Sequence, residues 1–398
     1  MKLIKDVVHD FIEVYPEELR IIDSPIFQRL RYIRQLGFNY LVYPGANHSR
    51  FEHSLGVMHL AGKIYQHLCQ QTNSCSKEDL IKLRLAGLLH DIGHVAFSHS
   101  LEGVLTNVSH EELGAMIIKD TEISDILQDL GYSPHEIIKL IRGKGRLSQI
   151  ISSQVDADRL DYLVRDAYHA GTNYGFISIP RIISSMRLSS QGKLIFSKKG
   201  LIALENFLIA RYQMYFTVYL HHTSVFFSKL VKMIFTRMRE LGLFEPLSPR
   251  DMDEILKLTD DWLIFTLRRI YSETNDNILK ELIERFFSRR PYKMVVERYY
   301  YRNVDSKLER LRRKIYEEFS EYDVFVSFPR FQIYSYNPKI KKNSIMIEVN
   351  GQVKDIFNVS KIINSIANVP YFILRIYVNR ERISEQQIEK IRSWTRKL

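Results

Sequence analysis

The sequence predicts a mainly α-helical protein that ends in a smaller α+β module. Three observations carry this. The 398 residues include only 17 Gly and 11 Pro. Apolar residues recur with the 3.6-residue period of amphipathic helices over long stretches. From about residue 320 the texture changes to the β-branched and aromatic runs YDVFVSF, SIMIEVNGQV and YFILRIYV, alternating with helical NVSKIINSIA and SEQQIEKIRSW. The chain therefore divides into residues 1–235, a helical and charge-rich connector at 236–320, and the module at 321–398.

In chain order, Ser24 and Pro25 form an N-cap and first helical residue, and Gly37 reads as the stop of that helix. Ser49 with Glu52, and Ser109 with Glu112, have capping-box spacing and start two more helices. Gly93 reads as the end of the helix that carries His90 and Asp91. In VDADRLDYLVRD the residues Asp158, Tyr162 and Asp166 recur every four positions and form one polar stripe.

Composition narrows the function. Lys and Arg outnumber Asp and Glu by 57 to 46, a net charge of +11 that suits anionic partners or simply a solvated basic surface. The basic, tyrosine-rich SRRPYKMVVERYYYRNVDSKLERLRRK fits a nucleic-acid contact, or an exposed helix flanked by a partly buried strand. No stretch reads as a membrane span or an export signal, so the expected location is the cytoplasm. Cys69 and Cys75 fit neither a disulfide framework nor a thiolate metal site.

The sharper signal lies in LAGLLHDIGHVAFSHS. His90 and Asp91 offer a nitrogen and an oxygen to one cation near a helix C-terminus, where the helix dipole also favours positive charge. His53 sits one helical turn after Arg50, so that segment offers a metal ligand and a phosphate contact on one face. Singly, each is more often a hydrogen-bonded structural residue. Together, polar groups at apolar-periodic positions in three helices need something to pair them, because burying them unpaired is costly.

RFEHSLG, LLHDIGH, FSHS, SHEE and VDADRLDYLVRD resemble the HD-domain phosphohydrolases. DSPIFQRLRYIRQLG followed by YPGANHSRFEHSLGV resembles, more narrowly, the deoxynucleoside triphosphate triphosphohydrolases. The resemblance implies an HD-type helical catalytic domain over 1–235 and hydrolysis of dNTPs to deoxynucleoside and triphosphate. It implies His53, His90, Asp91 and Asp158 as ligands of one divalent metal, manganese, iron or zinc, with magnesium or manganese accompanying the nucleotide. Arg50 and Arg159 match phosphate-binding positions. His94, His99 and His110 match histidines that handle the proton of the leaving 5′ oxygen, His99 first and His110 second, and Glu102 stands where an acid orients one of them.

Sugar recognition is implied for Gln35, Tyr162, Asp166 and Tyr219, and contact with the triphosphate for Arg211, Tyr215 and His221. Lys2, Asp23, Gln28 and Arg31 match a regulatory nucleotide site, which carries with it a homo-oligomer, dimer or tetramer. The remaining histidines, among them His9, His48, His59 and His169, read as surface or structural. Two other readings stay open: a nucleotide phosphomonoesterase or phosphodiesterase on the same metal site, and a regulatory nucleotide- or nucleic-acid-binding protein without turnover.

Overall fold

The computed structural model describes residues 2–72, 75–249, 251–331, 334, 344–367 and 371–396, except the side chains of residues 72, 99 and 371. It is mainly helical, with sheets at the N-terminus and in the C-terminal third. No helix among the described residues is long and apolar enough to cross a membrane. Both cysteines are free thiols.

The chain opens with a hairpin, Lys2–Asp6 paired antiparallel to Asp10–Val14, in register from Lys2–Val14 to Asp6–Asp10. Ser24 caps the next helix as expected, accepting from the Phe27 amide, but that helix runs only from Pro25 to Gln28 and tightens into a 3₁₀ turn at Arg29–Tyr32. The buried guanidinium of Arg29 donates to the carbonyls of His94 (2.8 Å) and Ile92, and that reach into the neighbouring loop accompanies the tightening. Gly37, read as a helix stop, opens a second 3₁₀ turn at Gly37–Leu41 with φ of +53°.

Three helices carry most of the site. Arg50–Thr72 starts at the expected Ser49–Glu52 box, in which the Ser49 hydroxyl donates to Glu52 at 2.7 Å. Lys77–Leu89 packs beside it, and Ala157–Ala170 packs against Arg50–Thr72 as well, capped by Asp156 at its start and by left-handed Gly171 at its end. The second of these ends at Leu89, with His90 as cap, before Gly93 is reached. Gly93 serves a different purpose. A Cβ there would fall 2.1 Å from the His110 carbonyl oxygen and 2.3 Å from the Gly114 amide nitrogen, so its absence lets the helix His110–Asp120 close against the His90 turn.

In the C-terminal third the strand Tyr371–Val378 lies between Lys293–Tyr300 and Val324–Ser327. The first of these strands and the helix Asp305–Glu318 come from the stretch read as connector. Leu308, Leu311 and Ile315 of that helix join Val296, Leu374 and Ile388 in a second core distinct from the main one. A mixed sheet ties this region to the rest, because Leu194–Ser197 pairs in parallel with Met346–Val349.

Candidate active site

The His53 helix approaches the Asp158 helix closely at Gly56, where a Cβ would fall 1.9 Å from Asp161 Oδ1 and 2.6 Å from Arg165 Nη2. That closeness sets His53 against the acidic face of the neighbouring helix. Donor atoms of His53, His90 and Asp158 lie within 4.8 Å of one another. His53 Nε2 stands 3.1 Å from Asp158 Oδ1, and His90 Nε2 stands 3.7 Å from the same oxygen. Asp91 is not part of that three-residue group but lies beside it, with Oδ1 at 3.3 Å from His90 Nε2 and Oδ2 at 3.8 Å from His53 Nε2.

Two observations show that a cation fits there. His90 Nε2 is buried with no hydrogen-bond partner among the described residues, although its Nδ1 is held by the Gly87 carbonyl at 2.8 Å. The electrostatics also strain toward a positive charge. Burial opposes a charged His53 ring, yet hydrogen bonds to Asp158 and Asp161 and the field of Asp91 push its pKa up to about 10. Burial likewise opposes ionisation of Asp158, and His53 and His90 outweigh it, holding the carboxyl below the usual range.

Arg50 is buried and forms an ion pair with Asp91, while its Nε donates to Ser98 Oγ at 2.7 Å. Phe97 and Ser98 both have positive φ, 51° and 55°, a costly backbone for residues with side chains. His94 is buried and stacked on His110, with ring centroids 4.2 Å apart. Burial and the Arg50 charge hold its pKa well below the usual histidine value. His110 Nδ1 lies 2.7 Å from Glu102, so the acid expected to orient a histidine contacts this one. The His99 side chain falls outside the described residues.

His90, Asp91, Asp158, Arg50, His94, Ser98 and His110 line one cavity of about 1090 Å³, whose wall also includes Gln35, Arg159, Tyr162, Asp166, Tyr215 and Tyr219, while His53 lies outside that wall. Gln35 Oε1 is buried with no partner among the described residues. Tyr215 and Tyr219 sit on a π-helical turn, Tyr215–Tyr219. The Tyr219 hydroxyl donates to Asp166 Oδ2 at 2.8 Å, and His48 Nε2 meets Oδ1 at 2.8 Å. Arg159 pairs with Asp156 across one helical turn. Arg211 and His221 are not part of the cavity wall. Arg211 donates to Gln154 at 3.3 Å, and His221 caps the following helix, its pKa lowered to about 4 by burial and by neighbouring His222 and Arg375.

Of the regulatory set, Gln28 Oε1 accepts from Arg31 Nε at 2.7 Å, and Lys2 and Asp23 are exposed. Sequence reading missed Asp161, Arg165, Asp6 and His9, which lie behind His53, and His48 behind Asp166. It also missed Arg142, Lys229 and Lys232 in the cavity wall. The signal for Asp161 and Arg165 was present, as a charged pair at i, i+4 beside the stripe already noticed.

Family models match this chain as an HD domain over residues 50–166 and as an HD-associated region over 177–393. The chain belongs to the HD-domain phosphohydrolase family. An uncharacterized protein of Methanocaldococcus jannaschii is 36% identical, over 100% of this chain and 84% of its own. Deoxynucleoside triphosphate triphosphohydrolase SAMHD1 of Bos taurus is 30% identical over 80% of this chain and 61% of its own length. A phosphohydrolase from Bacteroides thetaiotaomicron has the same fold, with a TM-score of 0.79 at 28% identity, covering 95% of this chain and 100% of its own. The HD-domain match runs from Arg50 to Asp166 and so contains His53, the His90–Asp91 pair and Asp158.

Proposed function

We propose that this HD phosphohydrolase hydrolyses deoxynucleoside triphosphates to the deoxynucleoside and triphosphate. One observation carries the reading: donor atoms of His53, His90 and Asp158 gather within 4.8 Å, and His90 and Asp158 line the same cavity as the Tyr219–Asp166 pair. The likeness to an enzyme named for this reaction supports it.

His53, His90, Asp91 and Asp158 would hold a divalent cation, manganese, iron or zinc, with magnesium or manganese accompanying the nucleotide. Such a cation supplies Lewis-acid activation and charge neutralisation at phosphorus. Arg50 and Arg159 add fixed positive charge beside it, and Arg50 is locked in place by Asp91 and Ser98. Asp166 accepts from the 3′-hydroxyl, and Gln35 hydrogen-bonds the same hydroxyl. Tyr162 and Tyr219 wall the sugar, and Tyr219, fixed by its bond to Asp166, leaves little room for a 2′-hydroxyl. Tyr215, with Arg211 and His221 behind the wall, serves the triphosphate side. His99 first, or His110, which contacts Glu102 and stacks on His94, delivers the proton to the departing 5′ oxygen.

Lys2, Asp23, Gln28 and Arg31 would take an activating nucleotide in a dimer or tetramer, which light scattering with and without added GTP tests. The main experiment is chromatographic analysis of products from a panel of dNTPs and NTPs with manganese. Deoxynucleoside and triphosphate from the wild type, and nothing from His90→Ala or Asp91→Ala, supports the reading. Monophosphate, pyrophosphate or orthophosphate as product moves the same site to a phosphodiesterase or phosphomonoesterase. Salt-sensitive binding of single-stranded nucleic acid with no hydrolysis of any nucleotide moves it to a binding protein.

A further inference from the structure

The N-terminal hairpin reaches the back of the metal-ligand cluster. Asp6 and Asp10 close its turn, where Asp10 adopts φ of +65°. Asp6 Oδ1 accepts from the backbone amides of Val8 (2.9 Å) and His9 (2.8 Å), which fixes the direction of the His9 side chain. His9 Nε2 then meets Asp161 Oδ1 at 2.6 Å, across 152 residues of sequence. The other oxygen of Asp161 accepts from His53 Nδ1 at 2.8 Å. Arg165 braces both carboxylates, binding Asp161 at 2.8 and 2.9 Å and Asp6 at 2.8 and 3.2 Å.

We propose that this hairpin is a clamp on the metal centre, in which His9 positions Asp161, and Asp161 positions the ring of His53, so that docking of the hairpin sets the affinity for the cation. The proposal rests on the assignment of His53 as a ligand. An ionised Asp161 accepts hydrogen bonds only, so the hydrogen of neutral His53 sits on Nδ1 and the lone pair of Nε2 faces Asp158 and Asp91. A partner of this kind fixes both the tautomer and the rotation of a ligating histidine, and its removal typically costs about 10- to 100-fold in metal affinity.

Anchorage alone does not explain the arrangement. Ile12 and Val14 already bury the hairpin in the apolar core. Burying a cluster of Asp6, Asp161, Arg165, His9 and His53 costs desolvation that apolar residues would avoid. The polar solution supplies what an apolar one does not, a directed acceptor behind His53. His9 is a positioning residue in this scheme.

The test is titration of the full-length, chelator-treated protein with manganese alone, with bound ion read by electron paramagnetic resonance. Variants are His9→Leu, His9→Gln, Asp161→Asn and, as a control for hairpin anchorage, Ile12→Val. We expect His9→Leu to weaken binding about tenfold, His9→Gln to recover most of the loss by restoring an N–H near the position of Nε2, and Asp161→Asn to approach a hundredfold loss. Ile12→Val is expected to lower the melting temperature and leave affinity unchanged. His9→Leu with wild-type affinity overturns the proposal, as does a loss in His9→Leu that Ile12→Val reproduces at equal melting temperature. His90→Ala separates this failure from failure of the metal assignment: if it binds manganese as the wild type does, the assignment falls first and the clamp with it.

Discussion

Gly56→Ala sets helix propensity against the buried charge cluster, and the two act in opposite directions. Gly56 lies inside the helix Arg50–Thr72, where replacing Gly by Ala gains about 1 kcal/mol from propensity alone. The added methyl would stand 1.9 Å from Asp161 Oδ1, 2.5 Å from its Cγ and 2.6 Å from Arg165 Nη2. These are not the free ends of mobile chains. Asp161 and Arg165 are fully buried and bound to each other, to Asp6, to His9 and to His53. Separating a buried pair costs about 3–5 kcal/mol. The net expectation is a loss of about 2–4 kcal/mol, together with weaker manganese binding as His53 loses its acceptor. Urea unfolding followed by circular dichroism, in parallel with a manganese titration, measures both. A variant about 1 kcal/mol more stable than the wild type with unchanged affinity would refute the reasoning, because propensity alone would then decide the outcome.

Other substitutions and conditions test separate parts of the site. Asp91→Asn removes a proposed ligand and leaves the buried Arg50 without its counter-ion; we expect undetectable hydrolysis and a stability loss of about 3 kcal/mol, read by dNTP turnover and by melting. Tyr219→Phe removes the bond to Asp166, and we expect KM for a dNTP to rise with a smaller change in kcat, whereas Tyr219→Ala raises the ribonucleotide share of total activity; steady-state kinetics on paired dNTP and NTP substrates decides. Manganese at 100 times its Kd stabilises the protein by about 2.7 kcal/mol, seen as a rise in melting temperature that a chelator reverses and that is absent in His90→Ala. Acid sensitivity has a defined source in His59, whose pKa burial and the nearby Lys63 charge lower from 6.5 to about 3. The unfolded chain therefore takes up a proton that the folded one refuses: the stabilising contribution is whole above pH 6.5 and is lost as pH falls toward 3, and His59→Asn flattens the melting profile across that window.

What the sequence disclosed follows from what is local. Capping residues act within one turn, so Ser24, Ser49 and Ser109 mark helix starts that the structure bears out. Spacing likewise placed Asp158, Tyr162 and Asp166 on one face, and the cavity receives all three. What stayed hidden depends on partners far away in the chain. His9 looked structural because its acceptor lies 152 positions on, and His48 because Asp166 lies 118 positions on. Gly93 looked like a helix stop because sequence cannot reveal that another helix passes against it. Leu194–Ser197 is too short for its alternation to name a partner, and its neighbour Met346–Val349 arrives from the far end of the chain. Lys229 and Lys232 share a helix with many apolar residues, and only packing decides that this side of the helix opens on the cavity.

The most direct test of a single cation held by three distant segments is anomalous diffraction from crystals soaked in manganese, recorded at a wavelength where that metal scatters strongly. We predict one dominant peak about 2.0–2.2 Å from nitrogen and oxygen atoms of His53, His90, Asp91 and Asp158. A map without that peak in metal-saturated crystals, or with manganese held by other residues while His53 and His90 turn away from each other, would contradict the central claim.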